Sequence, residues 1–110
     1  MSQANIRAGL LAYGAIGDEH NLAIKATPGL TLSAVCDTNP ERLKVALEIS
    51  PDAKTFNDAE VMIASGEIDL VVISTPPNSH FLWAKKALNA NLHVVLEKQF
   101  LLMQSFLLHQ

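Results

Sequence analysis

Arg7-Ala8-Gly9-Leu10-Leu11-Ala12-Tyr13-Gly14-Ala15-Ile16-Gly17 is the stretch whose reading decides the fold. An apolar run enters a turn of small residues, and a helical pattern starts at once. Strand, tight turn and helix N-terminus in that order form a layout that cradles phosphate, with G-x-G-x-x-G as its usual fingerprint. Here the three positions hold Ala12, Gly14 and Gly17, so the first glycine is replaced. Gly14 would let a ligand approach the backbone, and Gly17 would let the helix pack closely on the sheet. Ala12 costs little if its φ is negative and about 1–2 kcal/mol if positive. The plain alternative is an ordinary strand–helix turn.

Outward from this stretch, strands and helices alternate. Ile6 to Leu11 reads as a buried strand, and Ile16 to Thr27 as a helix. Its expected inward face carries Ile16, His20, Ala23, Ile24 and Thr27, at three- and four-residue spacing. Asp18 and Glu19 fall in its first turn, where negative side chains suit the helix dipole, and Pro28-Gly29 stops it. Leu30 to Cys36 is a second strand. Thr38 or Asn39 caps a helix over Pro40 to Ile49, with proline in its favoured first turn. Ala53 to Phe56 is a short strand near a sheet edge, and Asn57 or Asp58 caps a helix through Ala64. Asp69 to Ser74 encloses Leu70-Val71-Val72-Ile73, an apolar run typical of a parallel strand buried on both faces. A helix from Ser79 to Asn89 presents Leu82, Trp83, Lys86 and Ala87 on one side, and Leu92 to Leu96 is a fifth strand. This alternation predicts an α/β fold: a Rossmann-type doubly wound parallel sheet, five strands in the order 3-2-1-4-5, helices on both faces.

Composition narrows the function classes. The 110 residues suffice for one domain with a modest core, burying about 65% of the unfolded surface. Hydrophobic residues make up 49%, too many for a disordered chain. A net charge of −3 offers no basic face for nucleic acid. The single cysteine, Cys36, excludes an intrachain disulfide, and no Cys/His cluster has zinc spacing, so no metal site is expected. No apolar run nears the ~20 residues that span a bilayer, and the N-terminus lacks a secretory pattern. A cytoplasmic protein without membrane contacts is the default expectation.

The candidate site residues cluster at strand ends. The turn from Ala12 through Tyr13, Gly14, Ala15 and Ile16 to Gly17 is the candidate pyrophosphate site. Asp37 ends the second strand, 20 residues after Gly17. A carboxylate there accepts the ribose hydroxyls of an adenosine and repels a 2′-phosphate, which favours NAD over NADP. Arg42 softens that preference, because a guanidinium could meet the phosphate. The structural alternative for Asp37 is a helix cap before Pro40. Ser74, Thr75, Pro76, Asn78 and His80 lie in the loop after the fourth strand, where a doubly wound sheet has its ligand crevice; a capping turn explains the same residues. His20, His93 and His109 carry no distinct chemical signal, and Trp83 is expected in the core rather than as a stacking platform.

Four segments now stand in register: Gly9 to His20, Val35-Cys36-Asp37, Ser74 to His80 and Glu97-Lys98. In order and spacing they resemble the N-terminal half of the Gfo/Idh/MocA oxidoreductases (glucose–fructose oxidoreductase, inositol dehydrogenase and relatives), over roughly residues 5 to 100. The resemblance implies an NAD- or NADP-binding domain serving hydride transfer to or from a sugar, inositol or similar polyol. It adds Glu97 to the cofactor-binding residues. It also implies that Lys98 reaches the substrate or nicotinamide region, where an ammonium could polarise the reacting oxygen or assist proton transfer. Family members carry a second α/β domain that forms the substrate site and usually the oligomer interface, so a homo-oligomer is expected of a full-length form.

The sequence departs from the family at Ala12, at Gln99, where a proline follows the lysine in relatives, and at its end. Residues 1–98 are read as the dinucleotide-binding domain. Residues 99–110 form an apolar tail, read either as a last helix on the sheet or as a truncated or frameshifted end. Two further readings stay open: a non-catalytic cofactor-binding or interaction protein, and a gene fragment without a function of its own.

Overall fold

The computed structural model describes residues 5–96. The last two family-motif residues, Glu97 and Lys98, and the tail at 99–110 lie outside the described residues. Within them, strands and helices alternate: β1 (Ile6–Leu11), α1 (Gly17–Ala26), β2 (Leu30–Cys36), α2 (Pro40–Ile49), β3 (Lys54–Phe56), α3 (Ala59–Ala64), β4 (Leu70–Ile73), α4 (His80–Asn89) and β5 (His93–Leu96). One turn of 3-10 helix, Pro77–Ser79, leads into α4. The five strands form one sheet in the order β3-β2-β1-β4-β5, every neighbouring pair parallel. This is the Rossmann-type order expected from the alternation of elements.

Each face of the sheet has its own core. On one face Ala8, Leu10, Leu32, Val35 and Val72 pack with Ile24 of α1 and Ala46 of α2. On the other, Leu11, Ala34, Cys36, Val71 and Ile73 pack with Met62 and Ile63 of α3 and Ala87 of α4. Leu10, Val35, Met62, Val71 and Ile73 are fully buried, each a gain of about 1.5–3 kcal/mol over exposure. The strand ends that bear the site residues therefore sit on a rigid base.

Three details differ from the sequence expectation. Pairing of β1 with β2 slips between Ala8 and Gly9, whose partners are Leu32 and Ala34. Ser33 is the extra residue of this bulge. It lets Leu32 and Val35, three apart, reach the same core, which strict alternation forbids. On α1 the buried residues are Gly17, Asn21 and Ile24, while Ala23 and Thr27 face solvent. The buried face lies one position on from the apolar stripe because a polar residue, Asn21, occupies its centre. On α4, Leu82 is exposed; His80 and Ala87 are buried, with Trp83 and Ala84 packed beside them.

The N-terminal ends of β1 and β4 are tied by Arg7. Its guanidinium donates from Nη2 to Asp69 Oδ1 at 2.9 Å and from Nε to Oδ2 at 3.1 Å. These bonds hold the Asp69 carboxyl down at about 2. Both side chains are partly solvated, so the pair fixes register more than it adds stability.

Candidate functional site

The turn after β1 is built around a strained residue. Ala12 has φ +79°, a left-handed conformation that costs a non-glycine residue about 1–2 kcal/mol. Two bonds from the end of β2 hold it: Ala12 N–H donates to Cys36 O at 2.8 Å, and Tyr13 N–H donates to Asp37 Oδ2 at 2.8 Å. Ala12→Gly would release the strain and add about 0.5–1 kcal/mol of glycine chain entropy to the unfolded state. The expected net is a gain of up to about 1 kcal/mol, or roughly 4 °C in Tm for a domain of this size. Thermal melts followed by circular dichroism check it, and a fall in Tm would refute the strain.

The two glycines of the turn do different work. A Cβ on Gly17 would lie 2.7 Å from the Tyr13 ring, so Gly17 is there for the tyrosine beneath the turn. A Cβ on Gly14 would meet no atom of the described residues within 4 Å, and Gly14 is not in the left-handed region. Nothing in the described fold requires glycine at position 14. The space in front of it is open, beside the start of α1. Among the described residues no side chain caps that start, whereas Asn39 caps α2 and Asp58 caps α3. Free amide groups and the positive end of the helix dipole thus face the opening. Ala15 and Ile16 complete the turn, exposed and half-buried.

Tyr13 does not face this opening. Its side chain is buried and runs under the turn toward α2. Its hydroxyl donates to Asp18 Oδ1 and accepts from Asn21 Nδ2 at 3.2 Å. Asn21 also donates to Ala46 O at 3.0 Å and accepts from Ser50 Oγ at 2.5 Å. Burial, and then the bond to Asp18, push the Tyr13 phenol up to about 12. It stays protonated and acts only as a donor toward the carboxylate.

Asp37 stands at the end of β2 with both oxygens engaged. Oδ2 takes the Tyr13 N–H, and Oδ1 takes the Asn39 N–H at 2.8 Å. Asn39, not Asp37, caps α2. Arg42 Nη1 lies 3.9 Å from Asp37 Oδ2, the arginine largely solvated and the aspartate buried. A crevice of about 450 Å³ opens here, lined by Ala12, Asp37, Arg42, Asp58, Thr75 and Trp83 among others. Cys36 also lines it. Burial foremost, then Asp37 and Asp58, raise its thiol to about 11, so it stays neutral and weakly nucleophilic. A second hollow of about 390 Å³ continues past Asp37 toward Phe56, Asn57 and Val61.

The loop after β4 closes the other side. Ser79 Oγ donates to Thr75 Oγ1 at 2.7 Å and lies 2.9 Å from Pro76 O. His80 is buried, and its Nε2 lies 2.6 Å from Thr75 O, which makes that nitrogen the protonated one. His80 therefore braces the loop rather than facing the crevice. Pro76 and Asn78 are exposed. Ser74 Oγ is buried and finds no partner among the described residues, and the same holds for His20 Nε2.

The structure thus gathers Ala12, Asp37, Arg42 and Thr75 around one crevice, with Gly14 and the open end of α1 beside it. Three features escaped the sequence reading. Trp83, expected only in the core, lines the crevice as well. Asn57 and Asp58 reach it from the loop after β3. Asn21 organises the seam under the turn, and its one signal was a lone polar residue spaced four from Gly17 and three from Ile24.

A parallel 3-2-1-4-5 sheet with an open glycine turn and an acidic residue ending β2 defines a dinucleotide-binding domain of the Rossmann type. The chain belongs to the Gfo/Idh/MocA oxidoreductases: residues 6–102 match the family described as "Oxidoreductase family, NAD-binding Rossmann fold". It is 36% identical over 97 residues to an uncharacterized oxidoreductase of Escherichia coli, covering 87% of this chain and 27% of that protein. It is 34% identical over 95 residues to inositol 2-dehydrogenase of Salmonella typhimurium, covering 84% and 28%. A crystal structure of scyllo-inositol dehydrogenase from Lactobacillus casei, with bound NAD(H) and scyllo-inositol, superposes with a TM-score of 0.76 at 28% identity, over 82% of this chain and 27% of that one. The chain spans a little over a quarter of the length of these relatives.

Proposed function

We propose that this chain is the cofactor-binding part of an oxidoreductase that passes a hydride between a nicotinamide dinucleotide and a sugar, inositol or related polyol. The observation that carries the cofactor half of this reading is Gly14: a glycine that nothing among the described residues requires, opening on space they leave free beside a helix start that none of them caps. The likeness to inositol dehydrogenases supports the substrate half. The buried Ser74 hydroxyl at the end of β4, without a partner among the described residues, fits a site whose remaining partner comes from a ligand.

In this reading the backbone from Ala12 to Gly17 and the first turn of α1 hold the pyrophosphate. Asp37 accepts the adenosine ribose hydroxyls and disfavours a 2′-phosphate, so NAD is preferred, with Arg42 leaving room for NADP. Ser74, Thr75, Pro76 and Asn78 form the wall toward the nicotinamide half, and His80 holds that wall by its bond to Thr75 O. The bound nicotinamide supplies the hydride donor or acceptor. Glu97 and Lys98 follow β5 in sequence, and the Lys98 ammonium is assigned to polarising the substrate oxygen.

Titration of the purified chain with NADH tests the proposal. Trp83, the sole tryptophan, lines the crevice, so its emission should be quenched saturably as NADH fluorescence rises. Absence of saturation at millimolar NADH would overturn the reading.

A further inference from the structure

The first turn of α1 carries two carboxylates, Asp18 and Glu19, at the helix end assigned to an anionic pyrophosphate. A carboxylate beside that end suits the empty helix but competes with a bound phosphate for the same amides. The structure shows where one of these charges goes. Asp18 Oδ1 accepts from the Tyr13 hydroxyl, and that hydroxyl in turn accepts from Asn21 Nδ2, one turn further along the helix. Asn21 is fixed by Ala46 O and Ser50 Oγ of the α2 side. The carboxylate is therefore drawn down the flank of α1 toward its seam with α2. Every donor in this chain points one way: Ser50 to Asn21, Asn21 to Tyr13, Tyr13 to Asp18. Glu19 is exposed and has no such tether among the described residues.

We propose that Tyr13 is a positioning residue for cofactor binding: its hydroxyl holds the Asp18 carboxylate away from the pyrophosphate position at the start of α1. This rests on the cofactor reading given above. Tyr13→Phe removes the tether and also the acceptor of one buried Asn21 Nδ2 hydrogen, so a lower Tm is expected beside the affinity change. The ring still fills the space against Gly17, and Asn21 Nδ2 keeps its bond to Ala46 O.

The test is the affinity of NADH, ADP and adenosine for the unmutated chain, Tyr13→Phe, Asp18→Asn and the double variant, at low and high salt. Tyr13→Phe should weaken NADH and ADP roughly tenfold at low salt and leave adenosine, which lacks phosphate, unchanged. High salt should narrow the gap, and adding Asp18→Asn should restore affinity. Asp18→Asn alone should shift ADP binding less than about twofold, because the charge is already held off. An equal loss for adenosine, or no rescue in the double variant, would overturn the role of Tyr13. So would a large gain from Asp18→Asn alone, an outcome that does not depend on the folding of the tyrosine variant. Failure of the unmutated chain to bind both NADH and ADP would overturn the cofactor reading itself, and this inference with it.

Discussion

Gly14→Ala is expected to abolish most cofactor affinity while leaving the fold intact. The new methyl group meets no atom of the described residues within 4 Å, and the backbone at Gly14 is outside the left-handed region. Stability should stay constant or rise by up to about 1 kcal/mol, since alanine restricts the unfolded chain more than glycine does. The methyl group would occupy the approach a pyrophosphate needs. Losing one charge-assisted hydrogen bond to the backbone costs about 1.5–3 kcal/mol, which is roughly 10- to 100-fold in Kd. Gly17→Ala should behave in the opposite way. Its Cβ would lie 2.7 Å from the Tyr13 ring, and overpacking of that kind costs about 1–3 kcal/mol. Thermal melts and NADH titrations on the two variants separate the effects. Unchanged NADH affinity in Gly14→Ala would remove the main support for a phosphate site at this turn.

The contrast between the two glycines shows what the sequence could and could not disclose. The spacing of Gly14 and Gly17 pointed to a turn followed by a helix, and both bounds of β1, β2 and α2 were legible. Those elements are bracketed by strong local signals: Pro28-Gly29 before β2, Asp37 after it, Asn39-Pro40 at the start of α2. Which glycine the fold itself needs was not legible, because it depends on Tyr13 folding back beneath Gly17. The sign of φ at Ala12 was undecidable for the same reason. It is settled by acceptors on Cys36 and Asp37, more than 20 residues away in sequence. The bulge at Ser33 depends on which residues of β1 lie opposite, and no period within β2 discloses it. Asn21 broke the apolar stripe of α1 because its partners sit on two other segments, Tyr13 in the turn and Ala46 and Ser50 of α2 and its C-terminal cap. Local signals marked the elements, and the long-range polar bonds decided how the site is held.

Asp37→Ala should therefore do more than change cofactor preference. On charge alone, removing this carboxylate favours NADPH, since Arg42 loses its neighbour at 3.9 Å and is free for a 2′-phosphate. Yet the same carboxylate is the acceptor for Tyr13 N–H inside the buried turn and for Asn39 N–H at the head of α2. Leaving a buried donor unpaired costs about 1–3 kcal/mol, and here it falls on the residue next to the strained Ala12. The variant is expected to lose about that much stability, and to bind NADH at least roughly tenfold more weakly as the proposed ribose acceptor disappears. NADPH should gain only relative to NADH, because the turn proposed to hold the pyrophosphate of either cofactor is loosened. Melts with paired NADH and NADPH titrations on one preparation decide the matter. A variant that prefers NADPH with the original NADH-level affinity and an unchanged Tm would show that Asp37 acts on the ribose alone. A joint loss of Tm and of affinity for both cofactors would show that one carboxylate both selects the ribose and holds the phosphate turn.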